Sequence, residues 1–335
     1  MAAELIFIIG ATGFIGSTVA LTALQAGFRL RISLRTPSNK IQELLSRYSS
    51  QIEYVTVLDI TDEQAFTGKL EGVDYVLHLA SPQPHVPDKN TYLVPAVKGT
   101  MTILKEASKV SSIKKVVIMS SIASLIPLSG IPTGGVIKEN NDWDFDIDDS
   151  ADFNDPTNPA GTAFKFYHAS KLLANKATWE FREVEKPHFS LVSLHPGFVY
   201  GYNPTQISAK DVELTSNGIL WRAIMKGVTD SRATGVHVQD VADAHIRALS
   251  PEISDGSKYL LIGQKTSWRE IAQIVHRDYP HIGAKISVDL EEDTLSVNTS
   301  KAEKELRIQW RSFERIIHDF LDQQLELIQS EQMAV

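Results

Sequence analysis

Cysteine is absent from all 335 residues. That excludes disulfides, thiolate nucleophiles and cysteine-ligated zinc, and it suits a reducing compartment. Basic tracts are missing too. The chain carries 33 Lys and Arg against 41 Asp and Glu, a net charge of −8, so nucleic acid and anionic membrane surfaces are poor partners. No apolar run approaches the roughly 20 residues needed to cross a bilayer. The N-terminus shows no charged segment followed by an apolar h-region, so neither a signal peptide nor a membrane anchor is expected, and the expected location is cytoplasmic. Asn298-Thr299-Ser300 fits a glycosylation acceptor only formally, because no secretory signal accompanies it. One last absence is local: no Asp or Glu occurs between Glu4 and Glu43.

What the chain does have begins at residue 5. Leu5-Ile6-Phe7-Ile8-Ile9 reads as a strand buried on both faces. Gly10-Ala11-Thr12-Gly13-Phe14-Ile15-Gly16 follows at once and leads into a helical stretch. Strand, glycine turn and helix start together form a seat for a dinucleotide pyrophosphate: the glycines let the backbone approach, and the helix start offers free N–H groups and a positive dipole end. Three spaced glycines alone would be weak evidence; their context is what gives them weight.

Strand-like and helix-like segments then alternate. Strands are expected at 30–34, 52–58, 75–80, 116–120 and 191–195, with helices at 17–25, 40–48, 62–70, 94–110 and 164–184. That rhythm predicts an α/β fold, a doubly wound parallel sheet of Rossmann type, with ligands beyond the carboxyl ends of the strands. Less regular segments after His195 predict a smaller C-terminal substrate lobe. The expected division is 1–195 plus about 236–262 for the dinucleotide domain, and 196–235 with 263–335 for the lobe. The segment 138–160 breaks the rhythm with Asp142, Asp144, Asp146, Asp148, Asp149, Asp152 and Asp155. It lacks calcium-loop spacing and reads as a solvated loop, so no metal is expected.

In folds that bind NAD, an acid about 20 residues past the glycines holds the ribose hydroxyl. Here that interval carries Arg29, Arg31, Arg35 and Lys40 instead. Arg35 directly follows the second strand, where an arginine suits the 2′-phosphate, so NADP(H) is the expected cofactor. Asp59, at the end of the third strand, is a candidate acceptor for the adenine amino group or a helix N-cap.

Tyr167 and Lys171 are four apart on an expected helix and so share a face. A lysine cation there favours the phenolate and lowers the tyrosine pKa, which makes Tyr167 a candidate proton donor to a carbonyl. Ser120-Ser121 ends the fifth strand, where a hydroxyl can hold a developing oxyanion or cap a turn.

These residues in this order resemble the extended short-chain dehydrogenases/reductases. The branch is that of dihydroflavonol reductases, cinnamoyl-CoA reductases and fungal or yeast aldehyde and ketone reductases. The resemblance rests on the glycine run 10–16, Leu34-Arg35, Asp59-Ile60, His78-Leu79-Ala80-Ser81-Pro82 and Val97-Lys98-Gly99-Thr100. It continues through Ser120-Ser121, Glu139 with Trp143, the stretch from Tyr167 to Lys171, His195-Pro196-Gly197-Phe198-Val199-Tyr200-Gly201 and the run 236–245. It implies a catalytic triad of Ser121, Tyr167 and Lys171. Cofactor contacts are implied at Gly10, Thr12, Gly13, Phe14, Ile15, Gly16, Arg35, Lys40, Asp59, Ile60, Leu79, Ala80 and Ser81. Lys171 is implied to hold the nicotinamide ribose, and Pro196, Gly197, Phe198 and Val199 the carboxamide. His237 and Asp240 read as structural, Asp240 as an N-cap. Pro82, His85, Ile122, Pro127, Tyr202 and Trp221 are expected to line a bulky, apolar pocket.

The expected function is NADPH-dependent reduction of a ketone or aldehyde on a hydrophobic or aromatic small molecule, with secondary metabolism as its setting and a monomer or homodimer as its assembly. Two alternatives stay open. One is a sugar-nucleotide epimerase or dehydratase of the same superfamily, against which the missing acid argues. The other is a non-catalytic NADP-sensing regulator, against which the presence of both Tyr167 and Lys171 argues.

Overall fold

The computed structural model describes residues 3–81, 89–147, 153, 157–291 and 294–333. Nine strands are described: β1 (Leu5–Ile9), β2 (Arg29–Leu34), β3 (Ile52–Thr56), β4 (Tyr75–His78), β5 (Lys115–Met119), β6 (Ser190–Pro196), β7 (Phe198–Tyr200), β8 (Gly235–His237) and β9 (Lys258–Leu261). The helices are α1 (Phe14–Gln25), α2 (Asn39–Leu44), α3 (Lys89–Ala107), α4 (Pro159–Glu185), α5 (Asn217–Lys226), α6 (Val238–Arg247), α7 (Trp268–Asp278), α8 (Ser300–Glu305) and α9 (Phe313–Met333).

Seven strands form one sheet in the order β3-β2-β1-β4-β5-β6-β9. Every pair in it is parallel, so the expected doubly wound α/β sheet is the fold. The order reverses between β1 and β4, which opens the switch-point crevice at their carboxyl ends. All five residues of β1 are buried, as a parallel strand covered on both faces requires. One face packs with α1 and α6 around Ile6, Ile8, Val19 and Val241. The other packs around Phe7, Val76, Ile103 and Phe181, under α3 and α4. A separate core around Leu220, Ile224, Ile271 and Phe320 joins α5, α7 and α9. Ala302, Leu306 and Ile308 pack into the sheet's first core instead.

Three local expectations differ from the structure. Residues 62–70 form successive turns rather than a helix; Gly68 sits at φ +69°, a left-handed conformation that interrupts helical progression. Asp240 is not the N-cap of α6. His237 is: its Nδ1 accepts from the Gln239 N–H at 3.0 Å, while Asp240 receives the Arg311 guanidinium. Arg29 and Arg31 are not free for a cofactor. Both pair with Glu53 on the edge strand, and Arg31 also donates to the carbonyls of Lys69 and Glu71.

Candidate active site

The glycine run forms the turn from β1 into α1. Gly10 sits at φ +95°, and a Cβ there would lie 2.8 Å from the Ala80 nitrogen. A Cβ on Gly16 would collide with the Gly10 carbonyl, whereas one on Gly13 would meet only that carbonyl, at 3.7 Å. The first glycine thus makes the turn and the third lets α1 lie against it. Gly13 leaves the helix start open. No side chain caps α1 and its first turn holds no acid, so its N–H groups remain available to an anion. Thr12 and Gly13 are exposed, while Phe14 and Gly16 are buried and Ile15 is partly so. This cradle fits a dinucleotide pyrophosphate.

Arg35 and Lys40 are exposed just beyond the carboxyl end of β2. Asp59 stands close to Arg35. Its carboxylate accepts from the Thr61 N–H and hydroxyl, both at 2.8 Å. These bonds, with Arg35 adding attraction, hold its pKa below the usual carboxylate range despite slight desolvation. Of the two roles open to Asp59, the helix cap is not formed: turns rather than a helix follow it, and its carboxylate closes the first of them. Ile60 packs on the second core and touches the position of Gly99. Leu79, Ala80 and Ser81 follow β4 across the crevice.

Ser121 follows β5 and opens a short 3₁₀ turn, Ile122–Leu125. Its Oγ accepts from the Ala123 N–H at 3.2 Å, and its hydroxyl lies near enough to the Tyr167 phenol to lower its pKa. Turn capping and influence on the phenol thus belong to one side chain. Ser120 turns the other way: its Oγ meets Ser124 Oγ at 3.0 Å.

Tyr167 and Lys171 both lie on α4, which starts with Asn158 accepting from the Gly161 N–H and with proline in its first turn. Lys171 Nζ lies 5.5 Å from the centre of the Tyr167 ring and donates to Ser81 Oγ at 2.8 Å. The shared helical face thus brings them together, and Ser121 comes to the same place from another strand.

The electrostatics depart from expectation. Burial pushes the Tyr167 phenol up, and Ser121 offsets this only in part. Burial also pulls Lys171 down to about 8. Desolvation of both groups outweighs the attraction that was expected to lower the phenol. In this state Tyr167 is a proton source.

Three residues near this cluster had no role assigned from sequence. His168 Nε2 donates to the Ile126 carbonyl at 2.8 Å, fastening the turn after Ser121 onto the catalytic helix. Phe164, one helical turn before Tyr167, is 53% exposed, with its ring 6.4 Å from that of Tyr167. His78 is buried at the end of β4 with an unpartnered Nδ1. The two histidines lay inside quoted motifs, but only tertiary contacts show what their rings face.

Among the expected pocket residues, Pro82 and His85 lie outside the described residues. Ile122 is partly buried and Pro127 buried. Tyr202 is exposed. Trp221 packs edge-on against Phe320 in the core of α5, α7 and α9. Pro196 and Val199 are buried, with Gly197 and Phe198 partly open, where β6 passes into β7. Among the described residues, one cluster has metal-ligand donors, Asp278, Glu314 and His318, and the Arg277 guanidinium pairs with both of its carboxylates. No helix among the described residues is long and apolar enough to cross a membrane.

Comparison with known proteins identifies relatives of this chain. The model of the NAD dependent epimerase/dehydratase family matches residues 6–263. Ketoreductase sphI of Aspergillus fumigatus is 56% identical over 329 residues, covering 97% of this chain and 99% of that protein. An anthocyanidin reductase ((2S)-flavan-3-ol-forming) of Vitis vinifera is 29% identical over 334 residues, with 95% of this chain and 93% of that one covered. The structure of Gre2 in complex with NADPH from Candida albicans superposes with a TM-score of 0.81 at 26% identity, covering 97% of this chain and 99% of that chain.

Proposed function

This chain belongs to the NAD dependent epimerase/dehydratase family, and within it we propose an NADPH-dependent carbonyl reductase. Its substrate is a ketone or aldehyde on a hydrophobic or aromatic small molecule, its product the alcohol, and its setting secondary metabolism. The observation that carries this reading is the convergence on Tyr167 of Ser121, near enough to lower the phenol's pKa, and of Lys171, 5.5 Å from its ring centre. A ketoreductase 56% identical over 97% of this chain supports the reaction class.

When bound, the dinucleotide supplies the hydride. The open start of α1 at Gly10, Thr12, Gly13, Phe14, Ile15 and Gly16 holds its pyrophosphate, and Arg35 with Lys40 holds the 2′-phosphate. Asp59 and Ile60 would hold the adenine, and Leu79, Ala80, Ser81 and the stretch Pro196, Gly197, Phe198 and Val199 would hold the nicotinamide half. The segments 1–195 and about 236–262 serve the cofactor; 196–235 and 263–335 serve the substrate.

Tyr167 gives its phenolic proton to the substrate oxygen. Ser121 donates a hydrogen bond to the same oxygen, which strengthens as negative charge develops. The Lys171 ammonium stabilises the phenolate that Tyr167 leaves, and it holds the ribose hydroxyls. Phe164 presents an open ring beside the proton donor, which favours a flat or apolar substrate over a nucleotide sugar.

The test is a substrate panel. Purified protein is mixed with NADPH or NADH and with aryl ketones, alkyl aldehydes, and UDP- and GDP-sugars. NADPH oxidation with apolar carbonyls is expected. Tyr167→Phe should lower it by about 10²–10⁴-fold while cofactor binding survives. Tight sugar-nucleotide binding with no carbonyl reduction would overturn the assignment in favour of an epimerase; cofactor binding with no turnover of any substrate would favour a regulator.

A further inference from the structure

Behind Ser121 lies a group of hydroxyls gathered around one imidazole. Ser124 comes from the 3₁₀ turn Ile122–Leu125, and His195 and Ser193 from β6; all three are buried. His195 Nδ1 meets Ser124 Oγ at 2.8 Å, and its Nε2 meets Ser193 Oγ at 2.7 Å. Ser124 Oγ also meets Ser120 Oγ at 3.0 Å and donates to the Ser121 carbonyl at 2.7 Å. His195 Nδ1 lies 3.3 Å from that same carbonyl. The proposed reduction uses none of Ser120, Ser124, Ser193 and His195.

These distances admit one arrangement of protons. A carbonyl oxygen can only accept. At 2.7 Å from the Ser121 carbonyl, the Ser124 hydroxyl has to point its single proton there, because two bare oxygens so close would repel. Ser124 then has no proton left for His195, so at 2.8 Å the imidazole donates and Nδ1 carries the hydrogen. Burial, opposed in part by the bond to the Ser121 carbonyl, pulls His195 down to about 3. The ring is therefore neutral and carries one hydrogen. Its Nε2 is bare and accepts from the Ser193 hydroxyl, and Ser120 gives its proton to Ser124. Ser124 Oγ thus uses its one donor and both lone pairs, which is its full capacity.

We propose that Ser124 and His195, the latter as the neutral Nδ1–H tautomer, are positioning residues that lock the Ser121 carbonyl and so keep the Ser121 hydroxyl aimed at the substrate oxygen. The carbonyl receives the Ser124 hydroxyl and the imidazole, along with the Ser124 N–H at 3.0 Å. The Ser121 Oγ accepts from the Ala123 N–H, so its own proton is left to give. Backbone and side chain are then both fixed, and a donor fixed in place before reaction stabilises developing charge without reorganising. The support comes across the sheet, since β6 pairs with β5. A fully satisfied buried network of this kind rigidifies what it holds.

The positioning role rests on the reading of Ser121 as part of a reductase site; the proton arrangement does not. The test therefore has two arms. In the first, nitrogen NMR of the imidazoles near pH 7 should show His195 protonated at Nδ1 and bare at Nε2. An Nε2–H tautomer or a charged ring overturns the proposal, whatever reaction the protein catalyses.

In the second arm, kcat is measured for wild type, Ser124→Ala, Ser121→Ala and the double variant. Ser124→Ala should lower kcat by about tenfold, the scale of one lost hydrogen bond, with NADPH binding unchanged. Ser124→Thr, which keeps the hydroxyl, should restore most of the rate. With Ser121→Ala already in place, adding Ser124→Ala should cost under about twofold, because the group it positions is gone. An equal loss in both backgrounds means that Ser124 only packs the turn, and overturns the positioning role. Should Ser124→Ala fail to fold, Ser124→Cys, close in size and a weak donor, takes its place with the same two outcomes. Full turnover by Ser121→Ala removes Ser121 from the reaction and overturns the positioning role, yet leaves a reductase. An Nδ1–H tautomer in a protein that reduces no carbonyl defeats the proposed function and the positioning role with it, and leaves the proton arrangement standing.

Discussion

Lys171 Nζ lies 5.5 Å from the centre of the Tyr167 ring and donates to Ser81 Oγ at 2.8 Å. A buried ammonium in this arrangement serves the site at a cost to the fold. Its pKa is pulled from 10.5 to about 8 by burial, so between those values the unfolded chain binds more protons than the folded one. Stability therefore rises with pH across that window and is lost as pH falls through about 8.

Replacing the ammonium separates its two effects. Lys171→Met should abolish most turnover and weaken dinucleotide binding. At pH 7 it should also raise the stability of the cofactor-free protein, by up to roughly 3 kcal/mol, the free energy that corresponds to such a shift. The gain should shrink as pH rises from about 8 toward 10.5. Urea unfolding at several pH values measures it; a variant less stable than wild type at pH 7 would show that the ammonium contributes net stability.

Cofactor choice turns on Arg35. Since Arg29 and Arg31 are engaged by Glu53, the cations left beyond the end of β2 are Arg35 and Lys40. Arg35→Asp should weaken NADPH binding by about 10–100-fold, the scale of a lost charge-assisted phosphate contact. It should leave NADH binding nearly unchanged. Fluorescence titration of both dinucleotides decides the matter. Equal losses, or a wild type that prefers NADH, contradict the assignment.

What could be read from the sequence follows the range of the forces involved. The strand–turn–helix at 5–25 was legible because a buried apolar run and glycine geometry are local signals. Tyr167 and Lys171 were legible as a pair because helical spacing alone brings them together. The turns at 62–70 were misread as a helix because side-chain spacing there resembles one until Gly68 takes its positive φ. The true cap of α6 was missed because a histidine nitrogen replaced the usual short polar cap. The Tyr167 phenol was expected to be lowered by Lys171, yet it is raised, because spacing shows a neighbouring charge and not the desolvation around it. His168 belongs to a motif, but its partner is the carbonyl of Ile126, 42 residues away along the chain.

Acid should destabilise the fold in a defined window. His78, His195 and His245 are buried, and desolvation pulls them to about 4, about 3 and about 4. Their folded values are depressed, so the stability they confer is complete above about 6.5 and is lost as pH falls toward 4. With three sites neutral in the fold and protonated in the unfolded chain, the slope should approach about 4 kcal/mol per pH unit near pH 5. Chemical denaturation between pH 7 and pH 5 measures this; a flat profile would mean that these imidazoles bind protons in the fold.

The identity of the substrate is tested most directly at Phe164, whose ring is 53% exposed and 6.4 Å from that of Tyr167. An exposed aromatic beside the proton donor gains from covering its face, and an aryl substrate covers it best. Phe164→Ala should lower kcat/KM for aryl ketones by about 3–10-fold, the range of an aromatic pair beyond plain area burial. Small alkyl aldehydes should lose much less, because they cover little of the ring. Phe164→Leu keeps apolar area but no ring, so it should restore alkyl rates and leave the aryl deficit largely in place. Comparing kcat/KM for matched aryl and alkyl substrates in the three proteins isolates the ring. Equal losses for both classes would make Phe164 a packing residue of α4 and remove the structural support for an aromatic substrate.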